Sequence, residues 1–434
     1  MTPKLQAYLS KRAEPVRYPL EGDSALEHPK AVIVIPALAE ADNLPHTLES
    51  LAHCTPDLLA QTLIIVVVNN RDAAQVDADA IDNNQRTLAW LRTKPCPNLH
   101  IAYIDAASPG RELKPKEGVG AARKIGMDRA FACLLNTDSD SPLIICLDAD
   151  TRVQPNYLEA VYRYAKRSDA WAGVIDYAHP LPEDPQEQAA IVSYELFLRY
   201  QHLALHGAKS PYAFHTIGST IVCTPRAYAA VSGMNRRAAG EDFYFLQQLA
   251  KTGTIGFIRD TTVYPSARIS WRVPFGTGKR VGRFIEATHE EYRVYHAESY
   301  AILKAWLSTV EAHLETTADE LLKQAEAIHP ELRHFLEHQA FAEHWPKLQH
   351  QAPNLDQLRA QFHRWFDGFK TLKLIHHLRD HTHPDQPTFE AYRAFSTHRK
   401  ETTIPAIPES DTPPLPVQIE FLTHLRVAMR KLND

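Results

Sequence analysis

The chain has 434 residues, 44 % of them hydrophobic and 23 % charged, with a formal net charge of −5. That length exceeds what a single core usually fills, so two domains are expected, and the charge balance gives no reason to expect nucleic acid as a partner. Five scattered cysteines without a CxxC pair, an N-terminus lacking an apolar signal core and the lack of a membrane-length apolar run lead us to expect a cytoplasmic protein with no transmembrane segment.

Residues 1–30 read as an N-terminal extension mixing charges and prolines. From Ala31 to residue 282, short β-branched runs alternate with helical patterns, which predicts an α/β domain with a mostly parallel, Rossmann-like sheet and helices on both faces. Strands are expected at Ala31–Ile35, Leu63–Val68, His100–Ile104 and Leu143–Leu147, each almost uniformly apolar and each ending in polar or turn-forming residues. Ligands of open α/β sheets bind beyond the carboxyl ends of the strands, so those ends should line one cleft. A helix is expected at Gln186–His206, and short strands at Thr220–Cys223, Thr254–Ile258 and Thr261–Tyr264. Residues 283–403 then read as helical, with Glu286–His313 and Ala318–His329 the longest patterns. Residues 404–434 are a proline-bearing connector and an amphipathic helix, Val417–Leu432, expected to dock on the body or on a second subunit of a homodimer.

Asp148 and Asp150 follow the fourth apolar run one residue apart, where the pleat begins to turn and both carboxylates can reach one divalent ion; hard oxygen donors suit Mg²⁺ or Mn²⁺. Gly118 and Gly120, followed by Arg123 and Lys124, describe a loop entering a helix. Its amides and cations either favour an anionic ligand or form a simple glycine turn with solvated charges. Glu241-Asp242 opens a helix, where a carboxylate serves as a cap or as a general base. Arg268, Arg272, Lys279 and Arg280 surround two glycines, a composition that fits a loop closing over a diphosphate. Arg236-Arg237 reads as a grip on an acidic acceptor or as a solvated pair.

In order along the chain, Ile35-Pro36-Ala37-Leu38-Ala39-Glu40, Val66-Val67-Val68-Asn69-Asn70-Arg71-Asp72, Gly118-Val119-Gly120-Ala121-Ala122-Arg123, Ile144-Ile145-Cys146-Leu147-Asp148-Ala149-Asp150, Gly218-Ser219-Thr220 and Gly240-Glu241-Asp242 resemble the motifs of family-2 glycosyltransferases with the GT-A fold. The resemblance implies a nucleoside-diphosphate sugar donor and a hydroxyl acceptor, and the lack of a membrane-length apolar run points to a small molecule or a short glycan as that acceptor. It further implies that Asp150 binds the metal, with Asp148 at the same ion and holding the sugar or ribose. Asp242 becomes the base, with Glu241 supporting the acceptor; His215 is the candidate for the late histidine that family members often supply as a third metal ligand, and inversion is expected, with retention the rival outcome. Pro36, Ala37, Glu40, Asn69, Asn70, Gly118 and Arg123 would line the nucleotide sugar, and Gly218 and Ser219 the acceptor. Ala39 stands where the family usually has asparagine, and Asn69-Asn70 where two aspartates are common, which leaves the base preference open. Three other readings compete: a sugar nucleotidyltransferase, whose glycine-rich basic loop is missing after the first strand; a binding module without activity; and a zinc hydrolase built on His334, Glu337 and His338.

Overall fold

The computed structural model describes residues 3–13, 17–22, 26, 28–71, 77–135, 137, 139–167, 169–269, 276–397 and 404–432. The chain forms two compact units: Met1–Pro180 with Thr216–Lys279, and Leu181–His215 with Arg280–Asn433. The segment Leu181–His215 therefore leaves the first unit, interrupting the stretch that the sequence reads as one domain.

The first unit is built on nine strands: β1 Glu21–Gly22, β2 Ala31–Ala37, β3 Thr62–Asn69, β4 His100–Ala106, β5 Leu143–Cys146, β6 Thr151–Val153, β7 Ala172–Tyr177, β8 Ile221–Cys223 and β9 Ile255–Pro265. Their order across the sheet is β1-β4-β3-β2-β5-β8-β7-β9-β6. β4, β3, β2 and β5 run parallel, with Val34 level with Cys146 and Ile65 with Val34. β8 joins β5 and β7 antiparallel, and β9 runs parallel to β7. Every residue of β2, β3 and β5 is buried, which is why these runs lack the apolar–polar alternation of a half-exposed strand. The helix Val119–Leu134 packs on β2, β3 and β5. The two strands expected at Thr254–Ile258 and Thr261–Tyr264 are one strand, β9, with a register shift in its pairing where Ile175 meets Asp176. β7 has no counterpart in the sequence reading.

The N-terminal residues belong to this unit too. Tyr8, on the helix Pro3–Lys11, donates its hydroxyl to buried Asp128 at 2.5 Å, and β1 pairs with β4.

The second unit is helical, apart from a two-stranded ribbon pairing β10 (Arg293–Val294) with β11 (Gln386–Pro387). Its core runs from Val192, Leu196 and Tyr200 through Trp306, Phe341 and Trp345 to Phe421 and Met429. The long helix expected at Glu286–His313 forms only over Ala297–Ala312, capped by His296, whose Nδ1 accepts the Glu298 N–H, and β10 lies in the stretch expected to be its start. The last helix, Leu415–Met429, docks on the helix Pro185–Gly207, where Arg426 reaches the fully buried Glu195 at 2.6 Å and Arg199 reaches it at 2.7 Å. No helix among the described residues is long and apolar enough to cross a membrane.

Candidate active site

The apolar run of β5 ends at Cys146, and the chain turns through Leu147-Asp148-Ala149-Asp150 before β6. The turn is anchored by Thr47, whose hydroxyl donates to the Ala149 carbonyl at 2.8 Å. Asp148 and Asp150 are thereby held at the carboxyl edge of the parallel half of the sheet, partly exposed, with side-chain accessibilities of 31 % and 18 %.

Each aspartate is met by a guanidinium. Arg123, almost fully buried on the Val119–Leu134 helix, donates from Nη2 to Asp148 Oδ1 at 2.5 Å, from Nε to Glu241 Oε1 at 2.9 Å and from Nη1 to the Gly218 carbonyl at 3.3 Å. One side chain thus joins three segments separated by up to 118 residues. Burial alone would lower its pKa, but the Asp148 and Glu241 carboxylates hold it above the ordinary arginine value. A Cβ on Gly218 would fall 2.1 Å from Nη2, so only glycine admits the guanidinium there. Arg268 grips Asp150 Oδ2 through Nε at 3.0 Å and Nη2 at 2.8 Å, and the same Nη2 donates to buried Glu40, which also accepts from Asn43 at 2.9 Å. Burial raises the Asp150 pKa, against the pull of Arg268.

Glu241 and Asp242 open the helix Glu241–Ala250 after Gly240, which adopts the left-handed conformation at φ 70°. Asp242 is half-buried and accepts the Phe243 N–H at 2.7 Å. Burial, reinforced by the adjacent Glu241 carboxylate and opposed by Arg123, pushes its pKa up to about 7. A carboxyl of this kind exchanges a proton near neutrality, as a general base must.

Other expected residues take different places. Asn70 is committed internally: its amide donates to the Ala107 carbonyl at 2.9 Å and its oxygen accepts from Asn84 at 2.5 Å. Asn84 also donates to the Asn69 carbonyl and accepts the Ala39 N–H at 2.9 Å, tying the ends of β2 and β3 together. The sequence reading missed Asn84, although an Asn-Asn pair inside an amphipathic helix, with one asparagine on the Ala80, Leu88 and Leu91 face, was the available signal. Pro36 and Ala37 lie within β2. Gly118 and Gly120 do not form an open anion loop. The Gly120 N–H donates to the Arg237 carbonyl at 3.1 Å, and a Cβ there would sit 2.5 Å from that oxygen, so the glycines let the Asn235–Ala238 backbone close on the helix start. The cations that follow also turn inward, Lys124 reaching buried Asp128 at 3.0 Å.

Arg236 pairs with Glu117 at 3.0 Å, and Arg237 lies over the Tyr244 ring at 3.6 Å. Ser219 is fully buried in a single turn, Gly218–Thr220. Lys279 is exposed at the start of the helix Thr277–Ile285, and Arg272 lies outside the described residues. His215 belongs to the second unit, its ring 6.0 Å from that of His202. Arg280, also in the second unit, pairs with Glu291 at 2.7 Å. The set read as a zinc hydrolase does not assemble: Glu337 is held by Arg333 at 2.8 Å, and His338 Nδ1 lies 2.8 Å from the carbonyl of His334.

No model of a known protein family and no curated protein matches the sequence. Among solved structures, the chain is similar to Staphylococcus aureus TarS 1-349 in complex with UDP-GlcNAc, at 13 % identity and a TM-score of 0.39, covering 77 % of this chain and 91 % of that one. It is also similar to the mannosyltransferase PcManGT from Pyrobaculum calidifontis in complex with GDP-Man and Mn²⁺, at 12 % identity and a TM-score of 0.36, covering 98 % and 92 %.

Proposed function

We propose that the chain is a metal-dependent GT-A glycosyltransferase, of family 2 in its motifs, that moves a sugar from a nucleoside-diphosphate sugar to a hydroxyl of a small molecule or short glycan with inversion. The observation that carries this reading is the Arg123 bridge, which brings the Asp148 carboxylate at the end of β5 to the helix start bearing Asp242. A sheet-edge acid turn and a carboxyl titrating near neutrality are thereby parts of one site.

The acceptor oxygen forms a bond to the anomeric carbon, its proton passes to an Asp242 carboxylate oxygen, and the electron pair of the breaking anomeric C–O bond leaves with the nucleoside diphosphate. Asp242 must be ionised to take that proton, so transfer rises with pH through about 7. Glu241, held by Arg123, fixes the helix start that aims Asp242. Asp150 and Asp148 form an all-oxygen donor set that fits Mg²⁺ or Mn²⁺ and would hold it. When bound, the ion neutralises charge on the diphosphate. Arg268, beside Asp150 and Glu40, supplies a guanidinium to the same charge.

In the Asp242→Asn variant, transfer should fall by about 10³-fold or more, while stabilisation by uridine- and guanosine-diphosphate sugars with Mn²⁺, read as a thermal shift, stays near that of the native chain. Retained transfer would refute the base assignment. A panel in which no nucleotide sugar shifts the melting, with or without Mn²⁺, would refute the donor class. Proton NMR of the product anomer decides inversion.

A further inference from the structure

In the second unit, the helices Pro330–His338 and Gly368–His381 pack through Leu332, Phe335 and Leu336 against Leu374, Ile375 and Leu378. Three donors meet at the edge of that seam. Glu331 and His334 stand three residues apart on one helix face, and His377 comes from the facing helix. His377 Nε2 lies 2.8 Å from Glu331 Oε2, His334 Nδ1 lies 3.3 Å from the same oxygen, and the ligand atoms all lie within 4.8 Å of one another. Among the described residues this is the one group of three or more such side chains with that spacing.

We propose that Glu331, His334 and His377 form a zinc site that clamps the two helices together, separate from the carboxylates of the first unit. Two imidazole nitrogens and one carboxylate oxygen suit Zn²⁺, whereas Mg²⁺ and Ca²⁺ take oxygen-only sets. Zinc bonds of about 2.0–2.2 Å place tetrahedral donors roughly 3.3–3.5 Å apart, so side-chain rotation alone closes this group around an ion, with a fourth position left for water. Side-chain accessibilities of 52 % for His334 and 16 % for His377 give the ion a way in and leave it partly shielded. A neighbouring histidine lies against one of the ligands: the His381 ring is tilted on that of His377 with ring centres 4.2 Å apart, and its Nδ1 lies 2.7 Å from the His377 carbonyl. The ion replaces the Glu331 hydrogen bonds rather than adding to a vacant surface. No oxidation or group transfer is involved.

The test uses the full chain without a polyhistidine tag, stripped with EDTA, dialysed, and titrated with ZnCl₂ by calorimetry at pH 7.5. With Mg²⁺ present throughout to occupy the carboxylates of the first unit, one saturable equivalent is expected, together with a further rise in melting temperature given by Zn²⁺. His334→Ala, at an exposed position, and Glu331→Gln should each weaken that equivalent by about tenfold or more, while His350→Ala, an exposed histidine outside the group, leaves it unchanged. No saturable uptake, or the same affinity in both ligand variants, overturns the proposal. Loss of the equivalent in His350→Ala also overturns it, because the zinc would then be held by scattered surface histidines.

Discussion

Asp242 makes the first unit less stable as pH rises, and removing its charge should reveal by how much. Its carboxyl keeps its proton in the fold up to about 7, whereas the ordinary carboxyl value is 3.8. Between those values the folded state binds a proton that the unfolded chain has lost. By linkage, stability therefore falls as pH rises through this window. The gap sets a ceiling of about 4 kcal/mol, and residual solvent access reduces this to on the order of 2 kcal/mol. An amide at this position keeps the acceptor used by the Phe243 N–H but forfeits a charge at a helix N-terminus, worth about 0.3–1 kcal/mol. Asp242→Asn should thus differ least from the native chain at the acid end of this window and exceed it by about 1–2 kcal/mol at pH 8. Because two units preclude a two-state fit, native-state hydrogen exchange of peptides from β2 and β5 is the suitable assay; it reads opening of the first unit itself. A difference that does not change with pH, or a variant less stable than the native chain at pH 8, would show that Asp242 is not the proton-retaining group.

Two further perturbations act on the Arg123 bridge. Arg123→Met leaves Glu241 and Asp148 without their guanidinium and should cost about 3–5 kcal/mol in the same exchange measurement, while Arg123→Met combined with Glu241→Met recovers part of the loss. A single-variant cost below about 1 kcal/mol would mean that the bridge does not hold the site together. Gly218→Ala places a methyl 2.1 Å from Arg123 Nη2 and should destabilise by about 1–3 kcal/mol while lowering transfer more than donor binding. Equal transfer in this variant would separate the bridge from the chemistry.

Much of this architecture was legible from residue type. β2, β3, β4 and β5 announced themselves as apolar runs ended by polar residues, because strands covered on both faces have no reason to alternate, and the acidic turn after β5 followed from its position in that series. What stayed hidden depends on non-local partners. Arg123 and Lys124 read as cations facing an anionic ligand or solvent, and only tertiary structure brings Glu241, Asp148 and Asp128 to them. The Glu286–His313 pattern hid its break because Val294 pairs with Gln386, 92 positions further along. Gly118 and Gly120 read as an anion loop or a simple turn, whereas what they admit is the Asn235–Ala238 backbone.

The distribution of charge explains why the Asp242 carboxyl titrates near neutrality. Glu40 and Asp150 share Arg268, and Asp148 and Glu241 share Arg123, so four carboxylates are offset by two buried or half-buried guanidiniums. Asp242 stands next to this arrangement, taking a backbone N–H from Phe243 while feeling the charge of Glu241. Burial and the neighbouring Glu241 charge raise the Asp242 pKa, and Arg123, bonded to Asp148 and Glu241, offsets them only in part. Asp242 thus binds a proton near neutral pH, and burial raises the Asp150 pKa as well, against the pull of Arg268. Reversing the Asp242 shift requires a third cation: a lysine placed beside Asp242 should pull its pKa back toward 3.8 and flatten the rise of transfer through pH 7, even where donor binding is intact.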